Sequence, residues 1–279
     1  SNNSEALKFF QLSKLLIKKH NPYLKKYVYS LVLEGRVQQA SNEIKKNLTK
    51  NNSNFFEAHL LLALDALKKK NYKKSEKHLV QSYQFINNDR IALIAAETLK
   101  EYLYVFEKNK ILKKKKELGK FSLIKEVFLK CYLGDKNTQV YFENLINYSD
   151  NGRTQDDDYS RYIFFYINFL IENNRYDEAK EITNNLDYLN SSLLISQVKK
   201  WTLDQNTEKI KKIFSCKNSN DIVGELLFLV ANLYASQDDY EQSNFYLNIS
   251  NYLNPEFVFN LSLLTANHYL NKDYHQTLK

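Results

Sequence analysis

The sequence predicts an all-α fold: a right-handed α-solenoid of about seven to eight antiparallel helix pairs, treated as one stack over residues 1–279. Three observations point there. Five glycines and two prolines leave little material for barrel corners or phosphate loops, while 43% hydrophobic residues suffice for a core. Apolar residues recur at helical spacing along the chain. A short motif repeats with the period of a helix pair.

Taken in chain order, the motif is a polar residue or glycine, a spacer, an aromatic or aliphatic residue, two spacers and a small residue. It occurs at Gly35-Arg36-Val37-Gln38-Gln39-Ala40, Lys70-Asn71-Tyr72-Lys73-Lys74-Ser75, Asn174-Arg175-Tyr176-Asp177-Glu178-Ala179 and Asp238-Asp239-Tyr240-Glu241-Gln242-Ser243. A degenerate copy lies at Gly134-Asp135-Lys136, and a truncated one at Lys272-Asp273-Tyr274. Val37 to Tyr72 is 35 residues and Tyr240 to Tyr274 is 34. Tyr72 to Lys136 and Tyr176 to Tyr240 are each 64, so each of those gaps is expected to hide one further unit.

Each motif separates two segments of helical spacing. Leu226, Leu227, Val230, Ala231 and Tyr234 precede the fourth copy; Phe245, Tyr246, Leu247, Ile249, Ser250 and Leu253 follow it. The reading is helix, tight turn, helix. Ala40, Ser75, Ala179 and Ser243 are small because antiparallel helices joined by so short a turn approach closely there. Neither helix buries its face alone, so the stack continues from pair to pair. Glu5 to Lys19 reads as a second helix without its first, and Thr277-Leu278-Lys279 stops where another would begin. Both ends therefore suggest a piece of a longer stack.

Spacing and residue types together resemble the tetratricopeptide repeat family. The best copy is residues 224–257, with Leu227, Val230, Ala231 and Tyr234 in first-helix positions, Tyr240, Ser243, Leu247 and Ser250 in second-helix positions, and Pro255 at the terminal proline. Residues 56–87 match through Leu62, Ala63, Tyr72, Ser75, Leu79 and Ser82 but lack the proline; residues 160–190 match through Tyr176 and Ala179. The resemblance is faint at 89–140 and 190–215. It implies a non-catalytic scaffold that binds a protein or peptide in a concave groove. Leu64-Asp65-Ala66-Leu67 with Leu253-Asn254-Pro255 also resembles longer bacterial repeat proteins that begin with a signal peptide, which favours an exported or periplasmic setting and leaves the cytoplasm open.

Charge is uneven along the chain. Residues 1–120, including the degenerate repeat near 89–120, hold 25 Lys+Arg against 11 Asp+Glu, a net of +14; residues 121–279 hold 15 against 21, a net of −6. The lysines gather at Lys68-Lys69-Lys70, at Lys73, Lys74 and Lys77, and at Lys113-Lys114-Lys115-Lys116. Such runs attract phosphates or anionic headgroups. With 33 asparagines alongside, they read first as compositional bias on solvated helix faces. Nucleic acid is therefore not the expected partner, though a nucleic-acid or anionic-surface role for the basic half is the alternative, as is service as the recognition arm of a larger assembly or enzyme. The longest apolar stretch, Tyr162–Ile167 with Phe169-Leu170-Ile171, is about half of what a bilayer span requires, so no transmembrane segment is expected. Oligomeric state is not legible.

Signatures of catalysis are missing from the sequence, and the expectation is a chain that is not an enzyme and uses no cofactor or metal. His20, His59, His78, His268 and His275 form no zinc spacing and read as surface or groove-edge residues. Cys131 and Cys216 lie in apolar runs as small hydrophobes; a disulfide between residues 85 apart is disfavoured by the neighbour-only contacts of a solenoid, although an exported protein would permit it. The polar stretch Asp150–Asp158 fails the calcium-loop pattern and reads as a connection that favours the next helix N-terminus.

The expected groove residues sit on first helices, one turn apart. Arg161, Phe164 and Asn168 in one copy correspond to Glu225, Phe228 and Asn232 in another. An amide there can donate one hydrogen bond to a peptide backbone and accept one, while the phenylalanines supply apolar pockets. The other reading of Phe164 and Phe228 is simple core. The Lys/Asn/Arg clamp with which some family members hold a terminal carboxylate is not evident, because residues 57–68 present Leu60, Leu64 and Leu67.

Overall fold

Among the described residues, six turns share one geometry. In each, a residue in the left-handed region closes a helix: Gly35 (φ 71°), Lys70 (56°), Gly134 (68°), Asn174 (61°), Gln205 (55°) and Asp238 (59°). Its N–H bonds to the carbonyl three residues back, and the next N–H to the carbonyl five back from itself, as in Gly35 to Val32 at 2.9 Å and Arg36 to Leu31 at 2.8 Å. This arrangement satisfies carbonyls that a helix end leaves open. At five of the six, a new helix starts two residues later, at Val37, Tyr72, Tyr176, Thr207 and Tyr240. The small residues behind those starts, Ala40, Ser75, Ala179 and Ser243, are fully buried. Ser75 donates its hydroxyl across the pair to the Ala63 carbonyl at 2.7 Å.

The computed structural model describes residues 3–18, 20, 22–48, 54–112, 120–150, 160–186 and 192–271. The Lys113–Lys116 run, residues 151–158 of the acidic connection, the truncated motif Lys272–Tyr274 and His275 lie outside them. The described residues form an all-α fold with fifteen α-helices and short 3-10 turns. Among them, no helix is long and apolar enough to cross a membrane. Where one continuous stack over 1–279 was expected, the chain divides into two compact units. One comprises residues 1–112 with 223–279, and the other residues 113–222.

The first unit contains α1 (Asn3–Leu12), α2 (Pro22–Leu33), α3 (Val37–Asn47), α4 (Phe56–Lys68), α5 (Tyr72–Ser82), α6 (Arg90–Lys108), most of α13 (Ser219–Ala235), α14 (Tyr240–Leu253) and α15 (Leu261–Leu270). Helix α4 is buried nearly all round, from Phe56 to Leu67, as its continuous apolar run requires of a central helix. Consecutive helices pack on one another, but α14 also packs on α2 and α3, far away in sequence. Phe245 of α14 stacks on Tyr29 of α2 at 4.6 Å, Tyr252 donates to Gln38 at 2.6 Å, and Tyr234 on α13 donates to Asp89 at 2.7 Å. Neighbour-only stacking does not describe this unit, because its last helices seal the apolar faces of its first. Backbones come close at Gly224: a Cβ there would lie 3.4 Å from the Ser250 carbonyl, and Ser250 donates to the Gly224 carbonyl at 2.6 Å.

The second unit contains α7 (Lys120–Leu133), α8 (Thr138–Asp150), α9 (Ser160–Glu172), α10 (Tyr176–Asn184), α11 (Leu193–Leu203), α12 (Thr207–Ile213) and the first residues of α13. Helix α9 is its hub, packing on α8, α10, α11 and α12. Phe128, Phe165 and Phe214 meet with ring centroids 4.5 to 5.7 Å apart. That cluster brings the end of α7 to the segment after α12, and Cys131 is bonded to Cys216 there, contrary to the free thiols expected from sequence. The expectation failed because α7 and the 214–216 segment both reach the hub, so contact is not confined to sequence neighbours.

The two 64-residue gaps differ. Tyr176 to Tyr240 spans α10 to α13, with the hidden turn at Gln205. From Tyr72 to Lys136 the described residues hold only α5, α6 and α7, and α6 runs nineteen residues without a break. Asp89 caps its start by accepting from the Ala92 N–H at 3.0 Å, and Asn109 (φ 50°) ends it.

Candidate functional site

The six expected groove residues fall in different units and different environments. Asn168 on α9 is 1% exposed and donates its amide to the carbonyls of Ile210 at 3.0 Å and Phe214 at 2.8 Å. These close the C-terminal end of α12, so this amide is an internal strut and not a groove contact. Phe164 is fully buried beside Phe165, the core reading of that ring. Arg161 is half-buried, with its guanidinium 5.7 Å from the Phe165 ring. On α13, Glu225 is buried, Phe228 half-buried and Asn232 exposed. Of the pair Asn168 and Asn232, only Asn232 reaches the surface. Identical spacing could not distinguish them, because the carbonyls that take up Asn168, at the end of α12, lie 42 and 46 residues downstream.

A different site is built on the first unit. Helix α2, the start of α4 and the segment leading into α6 surround a cavity of about 340 Å³. Glu57 lies at its wall, 6% exposed, in the first turn of α4. The Tyr29 hydroxyl donates to its Oε1. Burial and the adjoining Glu57 charge push that hydroxyl well above its ordinary value, so it remains a donor. Oε2 has no hydrogen-bond donor, only the Lys25 ammonium at 3.5 Å. Asp89 is a second carboxylate in the lining, held by the Ala92 N–H and the Tyr234 hydroxyl. Phe55, Phe56 and Phe85 give the cavity apolar walls, and Asn54, Gln84 and Asn87 give it amides. Phe85 is itself backed by His59, stacked at 5.4 Å.

His59 therefore corrects another expectation. It is 6% exposed, neither ring nitrogen has a partner, and burial holds its pKa below the usual value. The fully enclosed position of α4 put it inside. His78, centroid 6.5 Å away, is lowered too, first by burial and then by the charges of His59, Lys74 and Lys77.

On the second unit a cavity of about 550 Å³ lies beside the Cys131–Cys216 bond, lined by Asp135, Glu172, Arg175, Lys211 and Lys217 among others. Its charges are largely committed to the fold. Lys217 donates to the Cys131 and Tyr132 carbonyls at 2.7 and 3.1 Å, closing the end of α7, and Arg175 pairs with Glu178. Burial raises the pKa of Glu172 and pushes that of nearby Asp221 up to about 7.

Of the two cavities, the first combines incompletely satisfied carboxylate, aromatic and amide groups, the equipment of a recognition site. Sequence reasoning missed it because Glu57 and Phe85 belong to separate helical segments with no motif between them. The one available signal was an acid, Glu57, at the head of an otherwise apolar helix. Comparisons with family models, curated proteins and solved structures return no match.

Proposed function

We propose that this chain is a non-catalytic, tetratricopeptide-like scaffold of right-handed helix pairs that binds a protein or peptide partner. The observation that carries this reading is the six-fold use of one left-handed turn joining close-packed helix pairs, coupled to an open pocket of carboxylate, amide and aromatic groups. The binding surface is assigned to the cavity around Glu57 on the first unit, since Asn168 and Phe164 are internal. The disulfide supports an oxidising, exported setting, where such bonds persist.

Capture from native lysate at low and moderate salt tests it. A discrete protein band retained by the wild type and lost by Phe85→Ala supports the scaffold reading. Nucleic acid recovered equally by both, and only at low salt, refutes it.

A second reading is favoured by one observation. Phe9 and Leu12 on α1 and Leu15 and Leu16 on the 3-10 turn after it are exposed, with Lys8 and Lys14 near them in sequence, a composition suited to an anionic lipid surface. Flotation with vesicles containing phosphatidylglycerol, but not with phosphatidylcholine alone, would support it. Loss of flotation in Leu12→Glu/Leu15→Glu would locate it.

A further inference from the structure

We propose that the cavity beside Glu57 receives a single cationic side chain, arginine first and lysine second, presented by the bound partner. The inference deepens the scaffold reading and rests on it for the source of that side chain.

The chemistry of the walls carries it. Glu57 lines the cavity with its carboxylate nearly fully buried: Oε1 accepts from Tyr29 and Oε2 lies 3.5 Å from the Lys25 ammonium, so the carboxylate already takes a cation as its partner. Asp89 adds a second negative charge whose position is pinned from two sides. An anionic ligand would meet both carboxylates. Three phenylalanines line the cavity, and the Lys25 ammonium already lies 5.9 Å from the Phe55 ring, the attraction of a cation to an aromatic face. About 340 Å³ is at the small end of ligand pockets and has room for one long side chain. The amides of Asn54, Gln84 and Asn87 are suited to the backbone on either side of it.

The molecule already shows which charge the site prefers. Lys25 places its ammonium 3.5 Å from Glu57, 5.6 Å from the Tyr29 ring and 5.9 Å from the Phe55 ring. Its side chain remains 49% exposed, so it guards the site without filling it. A guanidinium from outside has more donors and a flat face for the rings, and it displaces this lysine. Lys25 is thus a competitor of the ligand, a relation that a merely structural ion pair would not have.

The probes are N-acetyl-arginine amide and its neutral counterpart N-acetyl-citrulline amide, titrated by calorimetry or by NMR shifts against the full chain. The wild type should bind the arginine amide and ignore the citrulline amide. Lys25→Ala should bind roughly two- to fivefold tighter, the scale of a partly exposed ion pair removed. Glu57→Gln, checked for an unchanged helical circular-dichroism spectrum, should lose at least about tenfold. Absence of arginine-amide binding to both wild type and Lys25→Ala overturns the site, as does equal binding of the citrulline amide. Lys25 is half exposed, so its variant remains informative even where Glu57→Gln fails to fold. If the amide binds as stated while Glu57→Gln captures the same lysate protein as wild type, the cation site stands and its link to that partner falls.

Discussion

The first unit is closed by rings and hydroxyls that join residues more than 140 positions apart, such as Phe245 on Tyr29 and Tyr234 to Asp89. The second is closed by a covalent bond, Cys131 to Cys216, set on a cluster of three phenylalanines. Both cover apolar helix faces that local hairpins leave open. The first unit has eight complete helices and most of another with which to cover them. The smaller second unit relies on α9 as a hub and on a staple, as small cores commonly do. Their ionisable groups differ as well. Buried His59 and Asp65 and half-buried His78 of the first unit are lowered, whereas half-buried Glu172 and buried Asp221 of the second are raised.

The largest expected effect is on the non-covalent closure. Phe245→Ala removes a fully buried ring and its stack on Tyr29, and should cost the first unit about 3–5 kcal/mol. Hydrogen exchange should show faster opening of α2 and α14. Unchanged protection there would mean that the contact of α14 with α2 does not hold the unit.

Close behind is the staple. Cys131→Ala/Cys216→Ala should cost the second unit about 2–5 kcal/mol, because the bond closes a long loop. The single tryptophan, Trp201, lies in this unit and reports its melting separately. A shift of the Trp201 transition without change in the exchange of α2 and α14 sharpens the contrast. Equal loss in both units would break it.

The pH dependences should have opposite signs. Asp221 titrates near 7 when folded, above its ordinary 3.8, so the folded second unit binds the extra proton. Its contribution is full below about pH 4 and is lost as pH rises through 7, a change on the order of 4 kcal/mol. In the first unit the folded histidines bind fewer protons than the unfolded chain, so stability present above about pH 6.5 is lost as pH falls. Asp65 acts in the same sense below 3.8: burial pushes it up, but hydrogen bonds from Lys45, Lys69 and Gln38 outweigh that and hold it low. Acidifying from pH 8 to 5 should therefore raise the Trp201 transition and speed exchange in α4. Asp221→Asn should reduce the first change, leaving what Glu172 contributes, and leave the second.

The smallest effect concerns what the units share. Lys70 and Gln205 hold left-handed backbone that glycine adopts without strain, so Lys70→Gly and Gln205→Gly should each stabilise their unit by up to about 1 kcal/mol. Destabilisation in thermal melts would show that those side chains matter more to the turn than the backbone does.

The helices and their turns follow from local sequence. Apolar spacing, small residues such as Ala40 and Ser243, and the polar or glycine residue heading each motif are local features, and a helix hairpin closes through local hydrogen bonds. The sequence also indicated a hidden pair between Tyr176 and Tyr240, although Thr207 stands where the aromatic was expected. Only the tertiary structure decided which faces met. Asn168 became a strut because α12 ends beneath it, while Asn232 at the matching position stayed exposed. Cys131 found Cys216 because two segments converge on α9, and Glu57 acquired a pocket because α2 and the 84–89 segment close around the head of α4. These outcomes depend on burial by residues distant in the chain. A periodic pattern specifies which side of a helix is apolar, but not which helix will come to cover it.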